Sequence, residues 1–164
     1  MGGVVLDAGS GSGRDTLAFL EAGLTVDAFD ASEELAFRSS RLTGCPTEVA
    51  RLETYTGPWA HYDGVWAFAS LLHVRGDDMP GAVSRLAAVL KRSGWLFANF
   101  KIGTEERIAQ LGRRYTDMTA ERLRTLFAES RQWDEIQTSS TFADAAFGAP
   151  IAWVNVFAQR AERR

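Results

Sequence analysis

Apolar residues along this chain fall into short solid runs, and between the runs they recur at helical spacing. Val4, Val5 and Leu6 make the first run, a buried-type strand that leads straight into a glycine-rich turn. Residues 14–22 then carry Leu17, Ala18 and Leu20 on a helical pattern, with Gly23 as the stop. A second strand covers 24–29 and ends at Asp30. Ser32 is placed to cap the helix that follows, with Glu33 and Glu34 in its first turn, where the helix dipole favours acid. That helix stops by Gly44, Cys45 and Pro46. Residues 47–50 form a short strand, 54–64 a loop, and 65–69 a fourth strand. Asp77 or Asp78 can cap a helix with Pro80 in its first turn. Val83, Leu86, Ala87 and Leu90 mark one face of it, and Ser93 with Gly94 ends it.

A fifth strand spans 95–100, and Thr119 caps a helix whose Leu123, Leu126 and Phe127 are spaced for a core. Two late strands, 133–142 and 152–159, are joined by 143–150, which read as loop. Strands joined without a helix pair antiparallel. The pattern therefore predicts an α/β protein with a parallel, doubly wound sheet and an antiparallel edge. At 164 residues a single domain spanning 1–164 is expected, with no repeat or linker visible.

Composition narrows the function classes. The hydrophobic fraction is 46% and the net charge is -3, as in a water-soluble globular domain rather than a general nucleic-acid binder with a basic face. Arg107, Arg113, Arg114, Arg122 and Arg124 do cluster, most simply as a solvated face. Cys45 is the one cysteine, so no intrachain disulfide and no multi-cysteine metal site is expected, in keeping with a reducing cytoplasm. No apolar run is long enough for a membrane span, and no signal peptide is visible.

The chemistry concentrates in the turn after the first strand. Gly9, Gly11 and Gly13 let the backbone approach a ligand without interference from Cβ, and the next helix offers free N–H groups. Dinucleotide binders use G-x-G-x-x-G, but Arg14 and Thr16 stand where that third glycine would fall. Asp7 precedes the turn. Asp30 lies about 20 residues beyond it, at the distance where a carboxylate can bond ribose hydroxyls.

Four ordered stretches, VLDAGSGSGRD, VDAFDAS, YDGVWAFASLLHV and LKRSGWLFANFK, together resemble class I S-adenosylmethionine-dependent methyltransferases. The likeness is greatest to the small-molecule, type-11/12 branch that includes tellurite-resistance-like enzymes. It runs from Val4 to about Thr119, and the late WVNVF strand fits it. It implies a Rossmann-like sheet of seven strands in the order 3-2-1-4-5-7-6, with strand 7 antiparallel, and S-adenosylmethionine as cofactor. It also implies roles. Gly9, Ser10, Gly11 and Gly13 would pass under the methionyl part, and Asp7 would hold its amino group. Asp30 would take the ribose diol, with Ala31, Leu52 and Glu53 around the adenine. Ala67 and Ser70 would face the methionyl end.

Methyl transfer is an in-line displacement at carbon, in which proximity supplies much of the rate. A strong base is therefore not obligatory. His73, after strand four, is a candidate to orient or deprotonate the acceptor, or else a packing residue. Lys101, Arg113, Arg114 and Tyr115 lie on the same rim and suit a small, anionic or metalloid acceptor. Tyr115 is the best placed of these, and Arg113 reads more simply as solvated charge. Trp59 and Trp66 read as packing residues, and Cys45 as inert. Family members usually carry helices before the first strand that cover the cofactor, and here the strand starts at once. A minimal enzyme, a trimmed start, or a lid supplied by a partner subunit, a homodimer included, would each account for this. The alternative function is a non-catalytic, cofactor-binding module that acts with a partner. A nicotinamide oxidoreductase is disfavoured by the glycine spacing and the antiparallel close.

Overall fold

The computed structural model describes residues 2–109, 112–143 and 151–162. The described residues hold nine strands and four α-helices, seven of the strands and all four helices where the sequence pattern predicts them. They are β1 (Val4–Ala8), α1 (Arg14–Glu21), β2 (Thr25–Asp30), α2 (Glu33–Thr43), β3 (Thr47–Val49), β4 (Tyr62–Ala67), α3 (Met79–Val89) and β5 (Leu90–Lys101). Then come β6 (Glu106–Ile108), β7 (Arg114–Thr116), α4 (Ala120–Glu129), β8 (Trp133–Ala143) and β9 (Ile151–Arg160). Seven of the strands form one sheet, ordered β3-β2-β1-β4-β5-β9-β8, in which β9 runs antiparallel to both neighbours. With β6 and β7 set aside in their own small sheet, this is the expected order 3-2-1-4-5-7-6. The expected loop at 144–150 lies outside the described residues.

Register explains which side chains meet. Asp7, Trp66, Phe97 and Phe157 stand opposite one another across β1, β4, β5 and β9, so they share one face. The Thr16 hydroxyl of α1 reaches Asp7, which puts α1 on that face. Leu6, Ala8, Val65, Ala67, Leu96, Ala98, Val154 and Val156 alternate to the other face. They join Leu86 of α3 and Leu123 and Phe127 of α4 in the main core.

Two local departures have clear causes. The third helix ends at Val89 rather than at Ser93, because Leu90 already pairs with Tyr62 of β4. Ser93 then takes a left-handed φ of 60° and Gly94 comes close to the backbone of Asp63 and Lys91, which turns the chain into the long strand. The β6–β7 hairpin arises in a stretch to which the sequence pattern assigns no strand. Its three-residue strands carry no apolar alternation, and hydrogen bonds from the Thr116 hydroxyl to the Val74 carbonyl and from His73 to the Arg114 carbonyl hold it against the rim.

Candidate active site

The turn after β1 is tied to the end of β2. The Gly9 and Ser10 N–H groups both donate to the Phe29 carbonyl, at 2.9 and 3.0 Å. The Gly11 N–H donates to Asp30 Oδ2 at 2.8 Å, and the Ser32 N–H donates to Asp30 Oδ1 at 2.8 Å. Asp30 is thereby fixed in place, yet each oxygen keeps a lone pair for another donor. Gly9 must be glycine on two counts. Its φ is +88°, and a Cβ there would stand 2.4 Å from the Ser70 Cβ. Ser70 in turn donates to the Ala8 carbonyl at 2.6 Å, which locks the β4 end against the β1 end. Gly11 differs, since a Cβ there would meet nothing within 4 Å and would project into open space.

That space is a cavity of about 480 Å³ at the carboxyl ends of the strands, within the size range of small-molecule sites. Among the expected residues, Asp7, Gly9, Ser10, Gly11, Asp30, Ala31, Leu52, Glu53, Ser70 and His73 line it. Three do not. Ala67 is fully buried, because strand alternation points it to the α3 face. Gly13 has a φ of +92° and lets α1 start against α2, where a Cβ would lie 2.8 Å from Ser39 Oγ. Tyr115 lies in β7 behind His73, with ring centroids 4.9 Å apart. The Lys101 ammonium at 4.0 Å and the Arg107 guanidinium at 4.9 Å cover its ring.

The lining also includes residues the sequence did not single out, notably Arg14, Asp15, Phe68 and Ala69, and Arg113, which had read as solvated charge. Asp15 accepts from Arg14 Nε at 2.7 Å and from Trp66 Nε1 at 2.9 Å. The Arg14 bond comes first among the causes that hold its carboxyl below the usual range. Ala69 has a φ of 51°, unusual outside glycine, and its N–H donates to Asn99 Oδ1 at 2.6 Å. Strain of this kind after a strand end is invisible to apolar patterning.

Electrostatics divide the cavity into two ends. At one end Asp7 is buried, and desolvation pushes its carboxyl from 3.8 up to about 6, although the Thr16 hydroxyl donates to it at 2.6 Å. Asp15 and Asp30 add repulsion in the same direction. A buried carboxylate held only by the hydroxyl and backbone N–H of Thr16, with two acidic neighbours, favours an incoming cation. Ser10 Oγ is also buried there, with no hydrogen-bond partner among the described residues. At the other end His73 Nδ1 meets the Arg114 carbonyl at 2.6 Å. A carbonyl only accepts, so Nδ1 carries the proton and Nε2 keeps the lone pair of the neutral ring. Burial lowers the His73 pKa, and the charges of Arg113 and Lys101 lower it further.

Comparison with known proteins agrees with this architecture. A SAM-dependent methyltransferase of Methanosarcina mazei superposes with a TM-score of 0.85 at 16% identity, over 99% of this chain and 94% of that one. The 1,6-didemethyltoxoflavin-N1-methyltransferase of Burkholderia thailandensis was solved with its substrate and S-adenosylhomocysteine. It gives 0.78 at 24% identity, over 98% of this chain and 72% of that one. The magnesium protoporphyrin IX methyltransferase of Synechocystis, solved with SAM, gives 0.73 at 19% identity over 98% and 71%. At these identities the likeness is one of fold. No curated protein matches the chain. Residues 5–94, more than half of the 164, match the family model described as a methyltransferase domain, and the chain belongs to that family.

Proposed function

We propose that this protein transfers the methyl group of S-adenosylmethionine to a small, anionic acceptor. One observation carries the reading: Asp7 and Asp30 line a single cavity on either side of a turn whose Gly11 leaves the space open. The residues present suit the donor. Asp7 is a buried carboxylate short of a counter-charge, matched to the methionyl ammonium, and Ser10 Oγ lacks a partner that a polar ligand atom would supply. Asp30 retains acceptor capacity for two ribose hydroxyls, and Ala31, Leu52 and Glu53 flank the place for adenine. Two of the similar proteins were solved with SAM or S-adenosylhomocysteine bound.

When bound, the donor supplies an electrophilic methyl whose bond to sulfur breaks, the electron pair leaving with sulfur, as the acceptor's nucleophilic atom bonds to carbon. This chain's part is placement and proton handling. Ser70 and Ala69 wall the methionyl end next to His73. Nε2 of His73, neutral at physiological pH, accepts the acceptor's proton, while the Arg114 carbonyl fixes the ring. Arg113 and Lys101, which depress the His73 pKa, give this end the positive potential that suits an anion. Within the family we place the chain in the small-molecule, type-11/12, tellurite-resistance-like branch, on the strength of its ordered motifs.

Calorimetric titration with SAM, S-adenosylhomocysteine and NAD tests the donor, and release of S-adenosylhomocysteine over a panel of carboxylates, phenols and inorganic oxyanions tests turnover. Binding of both sulfur nucleosides with no competition from NAD is expected. Absence of binding at millimolar ligand overturns the reading. Binding with no turnover on any acceptor favours the cofactor-binding module instead.

A further inference from the structure

We propose that Tyr115 is a positioning residue: from the β6–β7 hairpin its ring holds the His73 imidazole in the tautomer and orientation that leave Nε2 free for the acceptor's proton. This role rests on the methyltransferase reading, in which His73 takes that proton, and adds the residues that equip it to do so.

The hairpin meets the turn after β4 through three successive residues. The Arg114 carbonyl accepts from His73 Nδ1 at 2.6 Å. The Tyr115 ring meets the His73 ring edge to face, at 65° and 4.9 Å between centroids. The buried Thr116 hydroxyl donates to the Val74 carbonyl at 2.7 Å. Strand β6 joins in, because the Gly76 N–H donates to Glu106 Oε2 at 2.9 Å and Glu106 also pairs with Arg114. Both strands of the hairpin therefore grip residues 73–76. A single hydrogen bond at Nδ1 selects the tautomer but lets the imidazole swing about that bond. A second ring packed against it at a fixed angle removes the swing.

Tyr115 also gathers charge beside His73. Its partner across the hairpin is Arg107, whose guanidinium lies 4.9 Å from the Tyr115 ring centroid and is held by Asp117 at 3.1 Å. Lys101, at the end of β5, sets its ammonium 4.0 Å from the same centroid. The negative face of an aromatic ring attracts cations in this way. Arg107 and Arg114 each have a carboxylate partner, whereas Lys101 has none among the described residues. The ring thus stations an ammonium without a counter-charge next to the imidazole. Lys101 and Arg113 disfavour the imidazolium, and Asp30 across the cavity favours it. The Tyr115 hydroxyl makes no hydrogen bond among the described residues, so the ring rather than the hydroxyl carries the role.

The test is NMR of the full chain labelled with 15N, in which His61 and His73 are the two histidines and His61→Asn assigns them. At pH 8 the His73 ring should show the Nδ1–H tautomer, and it should titrate below 6.5. Tyr115→Phe should change neither. Tyr115→Leu should admit the Nε2–H tautomer and raise the midpoint by at least about half a pH unit. Lys101→Met should raise the midpoint and keep the tautomer. Tautomer and midpoint unchanged in Tyr115→Leu overturn the proposal, since the ring would then only pack. So does Tyr115→Phe behaving like Tyr115→Leu. Where Tyr115→Leu fails to fold, an unmoved midpoint in Lys101→Met overturns it. Failure of S-adenosylhomocysteine to bind the wild type overturns the methyltransferase reading. Its intact binding with His73 indifferent to Tyr115 overturns only the positioning role.

Discussion

Replacing Asp7 by Asn should stabilise the ligand-free protein while weakening its hold on the sulfur nucleosides. The Asp7 carboxyl is displaced from 3.8 to about 6, chiefly by burial. The folded state therefore binds its proton more tightly than the unfolded chain does. Below pH 3.8 both states are protonated and the site costs nothing. As pH rises to about 6 the unfolded chain ionises first, and the native state loses about 3 kcal/mol, at roughly 1.4 kcal/mol for each pH unit between the two pKa values. That cost is fully present above about pH 6. Asn is nearly isosteric, still accepts the Thr16 hydroxyl through its carbonyl oxygen, and never ionises. Asp7→Asn should thus gain about 3 kcal/mol at pH 8, roughly 6–12 °C in melting temperature for a domain of this length, and almost nothing at pH 4. Urea denaturation of both proteins at pH 4, 6 and 8 reads the gain, and calorimetry with S-adenosylhomocysteine at pH 8 reads the loss of affinity, expected at tenfold or more. A variant no more stable than wild type at pH 8, or one whose gain is the same at pH 4, refutes the burial argument. Undiminished affinity refutes the pairing of Asp7 with an ammonium group.

The two cavity glycines should respond oppositely. Gly9→Ala, driven 2.4 Å from the Ser70 Cβ at a left-handed φ, should cost about 2–4 kcal/mol in chemical denaturation. Gly11→Ala meets no neighbour, so it should cost only about 1 kcal/mol of backbone strain but lower S-adenosylhomocysteine affinity measurably by calorimetry. His73→Asn should lower kcat about 10²–10⁴-fold once an acceptor is known. In the wild type, with the His73 pKa lowered by burial, the acid limb of the rate profile should lie below pH 6.5, and it should vanish in the variant. Cys45, whose thiol is raised by burial and donates to the Val26 carbonyl at 3.2 Å, should react slowly with iodoacetamide at pH 7.5. Cys45→Ser should bind S-adenosylhomocysteine as the wild type does.

Most of the architecture was legible because buried parallel strands leave solid apolar runs. Val4 to Leu6, and Trp95 to Phe100, announce themselves without context. The closing hairpin was legible too, since no helical pattern of apolar residues separates 133–142 from 152–159 in the sequence. The β6–β7 hairpin was not, because Arg114, Tyr115 and Thr116 are held by neighbours rather than by an apolar face. In the site, the glycine turn and the two aspartates could be found because they are sequential with the strand ends. Ala67 was misplaced by one step of strand alternation. Gly13 was grouped with the other glycines, although its lack of a Cβ serves α2 rather than the cavity. Phe68 and Ala69 escaped notice, and Arg113 was read more simply as solvated charge, since their place in the lining depends on a strained turn and on the unread hairpin.

The most direct check on the account is the affinity of S-adenosylhomocysteine for wild type and for Asp30→Ala, measured side by side by calorimetry. Asp30 is fixed by the Gly11 and Ser32 amides, so its loss removes charge-assisted bonds to the ribose. Affinity should fall roughly 30-fold or more, about 2 kcal/mol, with the wild type binding a single equivalent. Equal affinity in the two proteins would contradict the placement of the sugar, and with it the assignment of this cavity to the methyl donor.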